Sequence, residues 1–250
     1  MPTTFRRYYE PFAGGLAMFF RVAPAQAVIN DGNPDLIGLY RTIANDVDAL
    51  LRRLAIHRAH HSEEHFYNVR ARWNDASVSW TEADRAAAFL YLNKTCFNGL
   101  WRVNRAGHFN VPMGRYAEPA IYVEATLRAA AAALANTTLR CGDFRAAVKD
   151  AKAGDFVYFD PPYVPVNATS NFTSYTQNGF SLDDQQELAT LARSLRKRGC
   201  FVMLSNSDTP LVRKLYKDFD VDTVKCTRAI NSNAAKRGAV DEVIVVGRPL

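Results

Sequence analysis

The feature that most constrains this chain is a repeated junction, in which a short apolar run stops at an acidic or small polar residue. Ala27 to Ile29 runs into a turn around Asp31 to Pro34, and an amphipathic helical pattern follows. Phe156-Val157-Tyr158-Phe159 stops at Asp160, and "CFVMLSNSD" (from Cys200) ends in Ser205-Asn206 and further small polar residues. "SLDDQQELATLARSLRKRG" predicts a helix with Ser181 as N-cap and Gly199 at its end, and "VDEVIVVGRP" predicts a final strand. Strand–turn–helix units of this kind build an open α/β sheet, whose ligands sit beyond the carboxyl ends of its strands. Asp31, Asp143, Asp160 and Ser205-Asn206 are therefore expected to line one crevice.

The alternation breaks over residues 55–120, which are charged from His57 to Arg72, then helical through "TEADRAAAFLYLNKT", then irregular. This pattern predicts an insertion standing on a domain made of residues 1–54 and 121–250. With 48% hydrophobic and 22% charged residues in 250, the chain has ample core material. No stretch reaches the roughly 18 to 20 apolar residues of a membrane span, and no secretory signal opens the chain, so a cytoplasmic location is expected.

Cys96, Cys141, Cys200 and Cys226 are scattered without a CxxC pair, which suggests neither a zinc site nor a disulfide framework. His57, His61 and His65 recur at spacings that would share one face of a helix, yet they lie in a charged stretch, and no metal is expected. The net charge of +6 leans towards a polyanionic partner.

In Asp160-Pro161-Pro162-Tyr163 each proline fixes φ and restricts the residue before it. The carboxylate and the first proline carbonyl can then point into one small space, as two acceptors suited to a ligand –NH₂ group. Tyr163 offers a flat face for an aromatic base. A stiff surface turn would look the same in isolation. Gly14-Gly15, after an apolar segment, suits close approach of backbone to a ligand, although an ordinary tight turn is as good an account.

Taken in order, "EPFAGGLAMFF", "INDGNPDLIGLY", "FNGLWRVNRAGHFNVPMGRY", "CGDF" and "FDPPY" resemble the Dam-type DNA adenine methyltransferases over almost the whole chain. The resemblance implies an α/β, Rossmann-like methyltransferase sheet with a mainly helical DNA-recognition insertion. It implies methyl transfer from S-adenosylmethionine, without a metal, to the 6-amino group of an adenine flipped out of double-stranded DNA, usually in GATC. It places Pro11, Phe12, Ala13, Gly14, Gly15, Asp31, Asp143, Phe144 and Asp160 at the cofactor, and Asp160, Pro161, Pro162 and Tyr163 at the target base. Asn98, Leu100, Arg102, Pro112, Arg115 and Tyr116 fall on the family's DNA-contacting positions, where an arginine fork would match guanine O6/N7 or a phosphate, and Lys94 is a further candidate for DNA contact. Trp101 serves either DNA or packing. Residues 167–180 look like the family's active-site loop, and residues 227–242 like a basic connection facing phosphates. A monomer in solution is expected.

Three departures accompany the resemblance. The family's Trp-x-Gly-Gly-Lys segment does not precede Glu10-Pro11-Phe12, Leu16 stands where a glycine is common, and Phe97 stands where a tyrosine is frequent. These leave open a catalytically impaired DNA-binding protein, beside an amino-methyltransferase acting on RNA or a protein amide.

Overall fold

The computed structural model describes residues 1–165, 180–227 and 239–250. The segments expected to form an active-site loop and a basic connection lie largely outside the described residues, at 167–179 and 228–238.

Along the chain, β1 (Tyr8–Glu10), α1 (Ala17–Val22) and β2 (Ala27–Asp31) come first. Helices α2 (Pro34–Asn45), α3 (Val47–Ala59), α4 (Glu63–Asn74), α5 (Glu82–Thr95) and α6 (Glu124–Leu134) follow, with a 3₁₀ turn at Phe97–Gly99 after α5. Then come β3 (Thr137–Cys141), α7 (Phe144–Ala147), β4 (Phe156–Phe159), α8 (Leu182–Lys197), β5 (Phe201–Ser207), α9 (Pro210–Leu215), β6 (Asp220–Thr227) and β7 (Ala239–Gly247). The fold is a mixed α/β fold.

Two compact units divide the chain. The first, Met1–Gly32 with Gly142–Leu250, carries strands in the order β2-β1-β4-β5-β7-β6. β1 pairs in parallel with β2 and β4, β4 with β5, and the β5–β7 and β7–β6 pairs are antiparallel. Every residue of β4 is buried, which is why its sequence is an unbroken apolar run rather than an alternation. Val157, Phe159 and Val202 pack against Leu188, Ala192 and Leu195 of α8 in the core. Each such fully buried large side chain contributes about 1.5 to 3 kcal/mol. β1 lies between β2, its successor in the chain, and β4, reached only after the second unit. This reversal of direction makes a switch point, where the loops leaving two neighbouring strands part and a ligand crevice opens.

The second unit, Asn33–Cys141, is mainly helical and contains the whole of the segment 55–120. The helical pattern after Asp31 proves to be two helices, because Asp46 ends α2 and caps α3, accepting the Ala49 N–H at 3.0 Å. Ser62 likewise starts α4, accepting the His65 N–H at 3.1 Å, so His57 and His65 stand on different helices rather than one face of one. Their ring nitrogens meet at 3.0 Å, with His57 stacked on Tyr91. Among the described residues no group of three or more His, Cys, Asp or Glu could hold a metal ion, and no helix is long and apolar enough to cross a membrane.

Candidate active site

β4 delivers Asp160 to the carboxyl edge of the first unit's sheet, beside the end of β5. Ser205 Oγ donates to Asp160 Oδ1 at 2.5 Å and lies 3.0 Å from the Tyr158 hydroxyl. Asp160 as a residue is open to solvent, yet burial of its carboxyl pushes its pKa above the usual carboxylate range. The hydrogen bonds of Ser205 and Tyr163 oppose that rise, and Glu242 adds to it.

The rest of the turn is tied from behind. Gln185 Nε2, on α8, donates to the Pro162 carbonyl at 2.9 Å, and the Val164 N–H donates to Asn206 Oδ1 at 3.0 Å. Among the described residues the Pro161 carbonyl accepts no hydrogen bond. The contacts of the turn therefore engage the Pro162 carbonyl, the Val164 N–H and one oxygen of Asp160.

The loop after β1 is anchored to the end of β2. Ala13 N–H donates to the Asn30 carbonyl at 2.9 Å, and Asn30 Nδ2 donates to the carbonyls of Pro11 at 3.0 Å and Gly142 at 2.9 Å. Gly14 N–H donates to Asp31 Oδ2 at 3.1 Å. Gly14 has φ +44°, and Leu16 (φ 58°) is also left-handed, a conformation that costs a side-chain-bearing residue about 1 kcal/mol. A Cβ added at Gly14 or Gly15 would meet nothing within 4 Å, so this turn faces open space. A cavity of about 300 Å³ lies there, lined among others by Glu10, Gly15, Leu16, Tyr158 and Asp160.

Asp143 caps α7 and is paired with Arg145, which also reaches Asp184 at 2.9 Å and Glu187. Phe144 is buried, stacked on Phe12 at 5.2 Å between ring centroids, with the Arg145 guanidinium over its ring. Asp31, Gly14, Phe12, Phe144 and Asp143 are therefore gathered in the first unit around the ends of β1 and β2.

Two participants escaped the sequence reading. Glu10 is only 2% exposed, accepts the Tyr8 hydroxyl at 2.7 Å, and burial pushes its pKa up to about 7. Its signal in the sequence was slight, an acid directly after Tyr8-Tyr9 and two arginines. Gln185 had none, being one polar residue within a helical pattern.

The second unit displays the remaining predicted residues at its own surface. Lys94, Asn98, Arg102, Pro112, Arg115 and Tyr116 are exposed, and Leu100 is half-buried. Bridges Cys96–Met113 and Val103–Phe109 fold this irregular stretch back on itself, and the Phe97 N–H donates to the Pro112 carbonyl at 2.9 Å. Asn98 is left-handed at φ 55°, as asparagine tolerates. Trp101 is packed between Phe89 and Phe109, with centroids at 4.2 and 4.5 Å, which assigns its ring to packing. Arg102 Nε donates to Asn110 Oδ1 at 3.0 Å, and among the described residues Arg102 makes no ion pair.

Comparison with known proteins yields one family and a set of close relatives. The family model of D12 class N6 adenine-specific DNA methyltransferases matches residues 1–230. The type II methyltransferase M1.LlaDCHI of Lactococcus lactis subsp. cremoris is 43% identical over 98% of this chain and 87% of its own length. The type II methyltransferase M.MjaIII of Methanocaldococcus jannaschii is 42% identical over 93% and 84%, respectively. The DNA adenine methylase of Serratia marcescens is 38% identical over 96% and 88%.

Proposed function

The chain belongs to the D12 class N6 adenine-specific DNA methyltransferases, and from this premise we propose that Asp160 and the Pro161 carbonyl clamp the amine of a flipped adenine within GATC. S-adenosylmethionine, the methyl donor the family implies, supplies an electrophilic methyl on a sulfonium. The observation that carries the clamp is the Asp160 turn at the switch point of the sheet: Ser205 holds the carboxylate, Gln185 engages the Pro162 carbonyl, and among the described residues the Pro161 carbonyl accepts no hydrogen bond.

The amine of adenine is a poor nucleophile because its lone pair is delocalised into the ring. Hydrogen bonds from both amine protons to Asp160 and Pro161 favour a pyramidal nitrogen and point the lone pair at the methyl. Fixing that geometry supplies the orientation term, and the carboxylate stabilises the positive charge that develops on nitrogen. Asp160 is the group beside the amine proton that is lost after transfer, and its raised pKa suits it to take that proton. A base inside the duplex cannot reach this turn, so the adenine leaves the stack at a cost of a few kcal/mol, partly offset by stacking on Tyr163.

The residues around the glycine turn fit the cofactor. Empty space faces Gly14 and Gly15, where a Cβ would meet nothing, and the buried Asp31 carboxylate suits ribose hydroxyls. Pro11 to Gly15, Asp31, Asp143, Phe144 and Asp160 make up this cofactor-holding set. DNA recognition falls to residues 55–120 through Lys94, Asn98, Leu100, Arg102, Pro112, Arg115 and Tyr116, supported by the exposure of all of them but the half-buried Leu100 and by the net charge of +6. The choice of GATC as the site rests on the resemblance of "FNGLWRVNRAGHFNVPMGRY" to the Dam-type enzymes.

Transfer of tritiated methyl to duplexes with and without GATC tests this reading. Label on adenine only in GATC duplexes, abolished by Asp160→Ala while duplex binding persists, is the expected result. Label independent of GATC would remove the site assignment, and an active Asp160→Ala variant would remove the clamp.

A further inference from the structure

Two buried amides stand behind the Asp160 turn, and their orientations are fixed by groups that cannot turn. Asn206 Oδ1 accepts two backbone N–H groups, Val164 at 3.0 Å and Ser207 at 2.8 Å. Its nitrogen therefore points the other way and donates to Gln185 Oε1 at 3.3 Å. That leaves Gln185 Nε2 as the donor to the Pro162 carbonyl at 2.9 Å. Exchanging N for O in either amide would set acceptor against acceptor or donor against donor.

Gln185 and Asn206 are 4% and 0% exposed. A buried amide costs stability unless its partners are in place, and a hydrocarbon of similar size would pack there without that risk. The partners here are the turn itself. Tyr163 sits between two peptide groups, and the pair holds one group on each side, the Pro162 C=O and the Val164 N–H. Rotation of either group would swing the Tyr163 ring and reorder which carbonyls face the crevice.

We propose that Gln185, oriented by Asn206, is a positioning residue for methyl transfer: by claiming the Pro162 carbonyl it leaves Asp160 and the Pro161 carbonyl as the acceptors for the adenine amine, and aims Tyr163 at the base. The inference rests on the clamp reading above.

The test is a set of single-turnover transfer rates on GATC duplex across pH, for the wild type, Gln185→Glu, Asn206→Asp and Asp160→Ala. Cofactor and duplex affinities are measured alongside. In Gln185→Glu the ionised side chain cannot hold the Pro162 carbonyl because both groups accept, whereas the protonated acid can donate as the amide does. Burial raises the pKa of such a carboxyl, which brings its protonation within the working range. Gln185→Glu is expected to lose about tenfold or more in rate near pH 8, with affinities unchanged, and to recover relative to wild type as pH falls towards 6. Asn206→Asp keeps the acceptor for Val164 and Ser207 but loses the donor to Gln185, and is expected to show the same loss and acid recovery. Wild-type rates for Gln185→Glu at every pH would overturn the inference while an inactive Asp160→Ala left the clamp standing. Parallel loss of fold and rate in both amide variants, without recovery on acidification, would also overturn it, as packing alone. An active Asp160→Ala would instead remove the clamp on which the inference rests.

Discussion

Ser205 Oγ donates to Asp160 Oδ1 at 2.5 Å, and through that contact the end of β5 controls the acid at the end of β4. The same hydroxyl lies 3.0 Å from Tyr158 OH and 3.4 Å from the Phe159 carbonyl, so Asp160 is the one charged acceptor among these three neighbours. This hydrogen bond lowers the pKa of Asp160 against the rise that burial imposes. A hydrogen bond to a charged group is worth about 1.5 to 3 kcal/mol, enough to move a rate by roughly ten- to a hundredfold.

Ser205→Ala removes the donor, so the Asp160 pKa rises further. Because the ionised carboxylate is the form that accepts the amine, the acid limb of the kcat/KM profile is expected to shift to higher pH. Duplex affinity should be unchanged. A pH–rate profile checks this, and an unmoved acid limb would disconnect Ser205 from the chemistry.

Gly15→Ala separates cofactor binding from folding. The residue lacks a positive φ and its new Cβ would meet nothing within 4 Å, so stability should stay within about 0.5 kcal/mol of the parent. If the open space is where the cofactor lies, calorimetric titration with S-adenosylmethionine should show an affinity loss of about tenfold or more, equivalent to roughly 1.4 kcal/mol. Unchanged affinity would move the cofactor away from this turn.

Glu10→Gln tests the buried acid of the cavity. Burial raises its folded-state pKa to about 7 from 4.5, so the protonated form is the one the fold prefers. Its stabilising contribution is complete below about 4.5 and lost as pH rises through about 7. The wild type should therefore lose melting temperature between pH 5 and 8 relative to Glu10→Gln, which keeps a neutral acceptor for Tyr8. Parallel melting curves across that range would contradict the assignment.

Arg102→Ala addresses sequence reading. With Nε engaged by Asn110, the two terminal nitrogens of the fork have no partner among the described residues and are available for a ligand. Loss of about 1 to 3 kcal/mol of discrimination at one guanine, with binding to other sites retained, is the expected outcome in competition against single-base variants. A uniform loss on every duplex, with a shallower salt dependence, would make it a phosphate contact instead.

Much of this molecule is legible along the chain because its signals are local. The all-apolar run of β4, the capping box of Ser181 and Asp184, the left-handed Gly199 after α8 and the acids that end β2 and β4 all depend on residues within a few positions of each other. β6 lies at the sheet edge and leaves most of its residues at least partly open to solvent, so the pattern that announces a buried strand is missing there. The break of one helical pattern into α2 and α3 turned on a single side chain, Asp46, whose capping role outweighed the continuing apolar period.

What the sequence by itself determined is the strand-and-acid grammar and the stiff Asp-Pro-Pro-Tyr turn, since proline geometry and apolar periodicity act over neighbouring residues. Only the tertiary structure decided that Gln185 and Asn206 lie behind the turn, that Ser205 grips Asp160 and that Glu10 is buried in the same cavity. Those contacts join residues tens or more than a hundred positions apart, and a hydrogen bond across such a separation leaves no trace in local composition until strand order and register bring its two ends together.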